Sequence, residues 1–148
     1  MKNEVKQFAG GVSVDDRGSV RFVNDFNFSG VKRFYHIENH ARGFIRAWHG
    51  HLIEGKYVYV AHGTALVGVG HIMAQDGEIK AGELLWRGVL SSASPKVLWI
   101  PPGNANGFQS LEEDTSIMFF STSSLEDSKL DDFRLPYNQW NIWEVDYR

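Results

Sequence analysis

The sequence predicts an all-β fold, either a barrel or a sandwich of short antiparallel strands. At least seven short runs rich in β-branched and aromatic residues show alternation, and Gly, Asn and Asp separate these runs. The chain also shows almost no stripe of apolar residues at helical spacing. Closely spaced runs of this kind are typical of antiparallel sandwiches and barrels.

The predicted strands follow one another through most of the chain. In order they are SVRFVNDF from Ser19, VKRFYHIE from Val31, FIRAWHGH from Phe44, KYVYVAHG from Lys56, TALVGVGHIM from Thr64, KVLWIPPG from Lys96 and TSIMFFSTS from Thr115. The dipeptide Asp76-Gly77 predicts a tight hairpin turn after the fifth run. A polar stretch that allows a short helix then leads into an aromatic-rich end. Because Trp140, Trp143 and Tyr147 are costly to leave in water, we expect this tail to pack on the barrel or on a neighbouring subunit.

Length and composition limit the classes of protein to consider. The 148 residues fit the size of one domain, so we expect residues 1–148 to form one. The absence of cysteine removes thiolate chemistry and disulfides and suits a reducing compartment, so we expect the cytoplasm. A net charge of -3 without a block of Lys and Arg argues against a nucleic-acid partner. The start has no apolar signal region and no later stretch approaches the roughly 20 apolar residues of a membrane span, so we expect no membrane partner.

Two histidines, His49 and His51, stand one residue apart in a predicted strand. Residues two apart along a strand point to the same face, so both imidazoles should enter one space. Their spacing from Gly43 resembles the first motif of the cupin superfamily, small β-barrels in which two histidines, a glutamate and a later histidine often hold a metal. The glutamate here, Glu54, follows His51 by three residues instead of four or five, and we expect it to face solvent in a loop.

The segment WIPPGNANGF resembles the second cupin motif, in which a proline-glycine turn precedes the fourth metal ligand. Asn106 stands at that position in this sequence. Imidazole is a favoured ligand for zinc or iron and asparagine replaces it poorly, so we expect neither a bound metal nor another cofactor.

Four segments in the same order resemble the dTDP-4-dehydrorhamnose 3,5-epimerase family, whose members include metal-free cupins. They are DDRGS from Asp15, IRAWHGH from Ile45, EGKYVYVAHGTALVGV from Glu54 and WIPPGNANGFQSL from Trp99. The second is similar to the family's LRGLHYQ, the third to QGKLVRVVRGEVFDVAV and the fourth to YVPPGFAHGFLVL. The resemblance covers most of the chain and implies a cupin β-barrel or jelly roll that forms a homodimer, with the N-terminal strand as a candidate for exchange between subunits.

The resemblance also implies roles for particular residues. It places the family's base on His49, its substrate-anchoring arginine on Arg46 and its active-site lysine on Lys56. It departs from the family at three positions, one of them Gly70, which corresponds to the aspartate that ends the family's DVAVD segment. The family's acid is a tyrosine in a segment like FLYKTT, where MFFSTS has Phe120, and Asn106 replaces a family histidine.

The chemistry of a nucleotide-linked 4-keto-6-deoxy sugar suits these residue types. Its protons at C3 and C5 are acidic because removal of either gives an enolate conjugated to the C4 carbonyl. Histidine is suited to act as the base, and a lysine can stabilise the oxyanion. We therefore predict His49 as base, Lys56 as oxyanion partner and His51 as a second proton-transfer group. The predicted substrate-binding residues are Arg46, Arg17, Asn106 and Tyr59, the arginines by contact with the diphosphate.

The sequence thus predicts a metal-independent epimerase that inverts C3, C5 or both by enolisation in the synthesis of cell-surface polysaccharide or lipopolysaccharide sugars. Two alternatives stay open. The RAWHGH segment also resembles the RGxHAHK strand of sugar-nucleotide 3,4-ketoisomerases, in which two histidines on one face can shuttle a proton without an opposing acid. The absence of the family's tyrosine also allows a catalytically inactive cupin that binds a sugar nucleotide. The nucleotide itself, dTDP, GDP or CDP, is open as well.

Overall fold

The computed structural model describes residues 4–146 and residue 148, and nearly all of its regular structure is β-sheet. The described part of the chain contains twelve strands and one short helix, α1 (Leu125–Lys129). The strands are Lys6–Ala9 (β1), Gly11–Asp15 (β2), Gly18–Phe22 (β3), Arg33–Glu38 (β4), Ile45–His51 (β5), Lys56–His62 (β6), Thr64–Gln75 (β7), Glu78–Ser91 (β8), Lys96–Ile100 (β9), Asn104–Ser110 (β10), Ser116–Ser121 (β11) and Phe133–Arg134 (β12).

The strands form two five-stranded antiparallel sheets and a separate hairpin. The strand order is β1-β9-β6-β11-β4 in the first sheet and β12-β5-β10-β7-β8 in the second, while β2 pairs with β3. This is the jelly-roll architecture of the cupin folds, so the predicted all-β class is confirmed.

The core lies between the two sheets and follows from alternation along each strand. On β6, Val58 and Val60 are buried, and on β11 Ile117 and Phe119 are buried, because side chains two residues apart share a face. The second sheet contributes Val67, Val69, Leu90 and Phe108 to the same cluster. Full burial of each such side chain contributes about 1.5–3 kcal/mol, which is the main stabilisation of the sandwich.

The hairpin predicted at Asp76-Gly77 joins β7 to β8. Both residues have positive φ angles, 54° and 76°. Such a pair is the signature of a type I′ turn, whose twist matches that of the flanking strands, and the prediction is confirmed.

The C-terminal segment contains the short helix and then packs on its own barrel. Ser124 caps α1, its side chain accepting the Asp127 N–H at 3.1 Å. Trp140 and Trp143 lie 5.0 and 5.2 Å from Trp48 between ring centroids. The expected packing on the barrel is therefore confirmed for both tryptophans, whereas Tyr147 lies outside the described residues.

Several strands lie outside the predicted runs. The longest strand, β8, contains two glycines, Gly82 and Gly88, which weaken the strand signal in its sequence. Strand β10 has the sequence NANGFQS, which is poor in β-forming residues. Hydrogen bonding to β5 on one side and β7 on the other makes β10 a strand all the same. In the described part of the chain, no helix has the length and hydropathy to cross a membrane.

Candidate active site

A cavity of about 310 Å³ opens between the two sheets. Its walls come from β5 and β10 of the second sheet, from β4, β6 and β11 of the first, and from the segment that runs from α1 through β12. The side chains that matter below are Arg33, Tyr35, Arg46, His49, His51, Lys56, Asn106, Phe119, Ser128, Asp132 and Arg134. The structure thus brings together five of the residues predicted from the sequence: Arg46, His49, His51, Lys56 and Asn106.

His51 is held in one tautomer by the main chain. Its Nδ1 lies 2.5 Å from the carbonyl oxygen of Asp131, and because a carbonyl only accepts, Nδ1 carries the proton. Burial lowers the pKa of His51, so the ring is neutral at neutral pH. Its Nε2 is buried without a hydrogen-bond partner among the described residues. Nε2 is therefore the atom of His51 that is free to exchange a proton with a bound ligand.

His49 is also neutral at neutral pH. Burial lowers its pKa to about 4, and the nearby cations Arg134 and Lys56 act in the same direction. Arg134 faces His49 across the β5–β12 pair and is itself bound to Asp132, at 2.9 and 3.0 Å. A neutral imidazole at physiological pH is the form that a general base requires.

Lys56 opens β6 with its side chain in the cavity, and the residue is 6% exposed. Its ammonium lies 5.7 Å from the ring centroids of both Tyr35 and Phe119. Burial lowers the pKa of Lys56 to about 8, with the Glu54 carboxylate opposing that effect. Lys56 therefore stays mostly cationic at neutral pH in a poorly hydrated site, where a charge stabilises an oxyanion most effectively.

Glu54 is buried, 2% exposed, and the expectation that it faces solvent was wrong. Its carboxylate accepts hydrogen bonds from Ser128 at 2.6 Å and Ser121 at 2.8 Å, and lies 3.5 Å from the guanidinium of Arg33. The contact to His51 Nδ1, at 3.7 Å, is not an ion pair because that imidazole is neutral. Burial is tolerated because both oxygens find partners, a requirement that the loop sequence does not reveal.

Asp131 holds the loop that carries Glu54. Its carboxylate accepts the backbone N–H groups of Leu52, Ile53 and Glu54, at 2.7, 2.9 and 2.8 Å. With its carbonyl on His51, this one residue positions both the loop and the imidazole. Within residues 4–146 and 148, no group of three or more His, Cys, Asp or Glu side chains has an arrangement that could hold a metal ion.

The cavity is rich in guanidinium groups. Arg46, predicted from the sequence, has its Nε bound to the Asn39 side chain at 2.7 Å. Arg33 and Arg134 also line the cavity, and the sequence reasoning missed both. A signal was present for Arg33, which stands two residues before Tyr35 and therefore shares its face of a predicted strand.

Two predicted binding residues lie elsewhere. Tyr59 is three residues after Lys56 on β6, so its side chain leaves from the opposite face of the sheet and does not line the cavity. Arg17 lies in the exposed turn between β2 and β3, where it pairs with Asp15 at 2.5 Å. Neither residue reaches the cavity of its own chain, which corrects the expectation for Tyr59.

The structure also shows which phenylalanine of β11 faces the cavity. Phe119, and not Phe120, is the β11 phenylalanine that lines the cavity. Phe120 lies on the other face of the sheet, against Phe26, Phe28 and Phe34. Both candidates lack a hydroxyl, so β11 offers no tyrosine to the site.

Fold and site together define a small cupin-type jelly roll with an acid/base centre of imidazole, ammonium and guanidinium groups. A model of the dTDP-4-dehydrorhamnose 3,5-epimerase family matches residues 4–142. The chain belongs to this family, as the resemblance predicted, and the predicted isomerase class is confirmed with it. No curated protein sequence matches the chain.

Solved structures share the fold at low sequence identity. The dTDP-4-dehydrorhamnose 3,5-epimerase of Sulfolobus tokodaii is 24% identical with a TM-score of 0.71, over 93% of this chain and 81% of that one. ChmJ, a 3'-monoepimerase of Streptomyces bikiniensis in complex with dTDP-quinovose, is 17% identical with a TM-score of 0.69, over 90% and 70%. QdtA, a sugar 3,4-ketoisomerase of Thermoanaerobacterium thermosaccharolyticum in complex with TDP, is 16% identical with a TM-score of 0.63, over 97% and 93%.

Proposed function

We propose that this protein epimerises a nucleotide-linked 4-keto-6-deoxy sugar at C3, C5 or both, through an enolate and without a metal. The observation that carries the proposal is one cavity in which two neutral imidazoles on β5 share the space with the buried ammonium of Lys56 on β6. These are the groups that abstraction of a proton next to a carbonyl requires. Membership of the epimerase family supports the same reaction.

The first step removes a proton from carbon. Neutral His49 takes the proton from C3 or C5, the C–H electron pair forms the C=C bond, and the carbonyl oxygen takes up the negative charge. Lys56 stabilises that oxyanion. General base catalysis of this kind contributes about 10²–10⁴-fold and a positioned oxyanion partner about 10²–10³-fold. His51, with Nε2 free, is the second proton-transfer group.

The diphosphate of the substrate would be held by the arginines at the cavity. Arg33, Arg46 and Arg134 supply guanidinium groups suited to bidentate contact with phosphate. The ligands of ChmJ and QdtA, dTDP-quinovose and TDP, favour dTDP as the nucleotide. Asn106 stays a predicted substrate contact from β10.

We place the reaction in the cytoplasm, on a homodimer, in the supply of sugars for cell-surface polysaccharide or lipopolysaccharide. The dimer is supported by the exposed apolar side chains of the β2–β3 hairpin, where Val14 and Val20 are 74% and 64% exposed. Arg17 lies in the turn of this hairpin. It remains a predicted diphosphate contact, and it would make that contact by entering the site of a partner subunit.

Isomerisation between the 3-keto and 4-keto sugars is the second candidate. The observation that favours it is the pair His49 and His51 on one wall, since one imidazole can remove a proton and the other return it to a neighbouring atom on the same face. This reaction needs no acid on the opposite wall.

Product analysis separates the two candidates. Incubation with dTDP-4-keto-6-deoxyglucose, followed by proton NMR of the sugar ring, should show a 4-keto product with the configuration at C3, C5 or both inverted. A 3-keto product would assign the chain to the ketoisomerases. Binding of dTDP with no new product from dTDP-, GDP- or CDP-linked substrates would instead make it a binding protein.

A further inference from the structure

One polar side chain of the cavity has an acceptor atom without a donor. Asn106 lines the cavity from β10 and is 4% exposed. Its Oδ1 is buried and has no hydrogen-bond partner among the described residues. A buried acceptor without a donor costs free energy, and native structures rarely leave one unpaired. The ligand of this cavity should therefore bring a hydrogen-bond donor to Asn106.

Asn106 stands beside the proposed base. It is paired with His49 in the ladder between β10 and β5, and both side chains line the cavity. Directly opposite residues of an antiparallel pair that share a face have Cβ atoms about 4.5–5.5 Å apart. The sugar carbon that gives its proton to His49 therefore lies close to the amide of Asn106, and so do the substituents of that carbon.

The two candidate carbons differ in what they offer to this amide. C3 carries a hydroxyl group, which donates a hydrogen bond, whereas C5 carries the C6 methyl group and the ring oxygen, neither of which can donate. We propose that Asn106 accepts the C3 hydroxyl of the sugar and thereby directs His49 to C3 in preference to C5. This inference rests on the proposed enolisation and adds to it the carbon that reacts.

Most other polar groups of the cavity are donors or are already paired. Lys56 and the arginines of the cavity donate hydrogen bonds and cannot accept them. Asp132 is held in its two-bond pair with Arg134. The Nε2 atom of His51 also lacks a partner, but it is the second proton-transfer group of the proposed reaction. A sugar hydroxyl beside His49 thus finds its acceptor in Asn106.

The proton transfer leaves the C3 hydroxyl in place. His49 takes the proton from C3, the C–H electron pair forms the double bond between C3 and C4, and Lys56 stabilises the charge on the former carbonyl oxygen. The hydroxyl stays bonded to Asn106 through this step. When a proton returns to C3, the electron pair of the enolate restores the C4 carbonyl.

The carbon that exchanges its proton is the first readout. With dTDP-4-keto-6-deoxyglucose in deuterium oxide, proton NMR gives the rates of deuterium uptake at C3 and at C5 separately. The wild type should exchange C3 at least about 100-fold faster than C5. Asn106→Leu, similar in size but without an acceptor, should slow exchange at C3 by at least about 100-fold. Asn106→Asp keeps an acceptor oxygen and should keep the preference for C3.

A substrate without the C3 hydroxyl separates recognition from a structural effect. On dTDP-4-keto-3,6-dideoxyglucose, the wild type and Asn106→Leu should exchange C3 at rates within about threefold of each other, because the group that Asn106 binds is gone. A general loss of structure would slow exchange of both substrates alike. The wild type should also exchange C3 of this substrate at least about 100-fold more slowly than C3 of the hydroxylated one, a comparison that needs no variant.

Asn24→Leu, at an exposed position, is the control for the substitution and should match the wild type on both substrates. Exchange by the wild type at C5 as fast as at C3, or an equal slowing of both substrates in Asn106→Leu, would overturn the role of Asn106 and leave the proposed function in place. Absence of exchange at both carbons in the wild type would overturn the proposed function, and this role with it.

Discussion

At the scale of single residues, the chemistry depends on which protonation state each cavity group holds at neutral pH. His49 and Lys56 are ordinary in type, but burial shifts both pKa values downward, to about 4 and about 8. Between about pH 4 and pH 8, His49 is therefore neutral while Lys56 is charged.

The pH dependence of kcat/KM follows from that interval. Below pH 4 His49 becomes protonated and cannot accept a proton, and above pH 8 Lys56 loses the charge that stabilises the oxyanion. We expect a bell-shaped profile with limbs near these two values, measured at constant ionic strength. An alkaline limb that keeps its position and depth in Lys56→Met would show that another group controls it.

Asp131 contributes to the stability of the fold as well as to the geometry of the site. Its carboxylate accepts three backbone N–H groups of the β5–β6 loop, which lose their partner in Asp131→Ala. Bonds to a charged group are worth about 1.5–3 kcal/mol each, and they overlap, so we expect a loss of about 2–5 kcal/mol. Urea denaturation measures this free energy, with the exposed Asp25→Ala as control. Equal stability of the two variants would contradict the account.

At the scale of elements, strands with clear alternation were predictable and the others were not. In VKRFYHIE and KYVYVAHG the alternation and the β-branched residues gave β4 and β6 directly. The sequence NANGFQS offers no such signal, since β10 is a strand because of its two neighbours. Tertiary pairing overrides a weak local preference in this way.

The site was predictable in part for a related reason. His49 and His51 share a strand, so their spacing alone places them on one face. Tyr35, Asp132 and Arg134 come to the cavity through pairing of distant segments, which no spacing in the sequence reveals. The sequence also did not predict which residues of β11 face inward, because its apolar residues stand consecutively and show no alternation.

At the scale of the whole molecule, the C-terminal tail packs against β5, the strand that carries the site histidines. Trp143 is buried against Trp48, which directly precedes His49, and both indoles donate to the carbonyl of Tyr137, at 2.8 and 3.1 Å. The tail thus supports the strand that carries both imidazoles.

Removal of one indole should destabilise the whole fold. Trp143→Ala leaves a cavity against Trp48 and should cost about 3–5 kcal/mol in the free energy of unfolding. Tyr137→Ala is the matched control, because that side chain is 57% exposed while its backbone carbonyl is retained. Thermal or urea unfolding gives the comparison, and a Trp143→Ala protein as stable as the control would show that the tail is dispensable.

The most direct test of the central claim, enolisation by a base on β5, is the uptake of solvent deuterium at C3 or C5 of dTDP-4-keto-6-deoxyglucose. The wild type should incorporate deuterium, and His49→Ala should do so at least about 100-fold more slowly with dTDP binding nearly intact. His62→Ala, at the exposed end of β6, is the control and should match the wild type. Incorporation by His49→Ala at the wild-type rate would contradict the account.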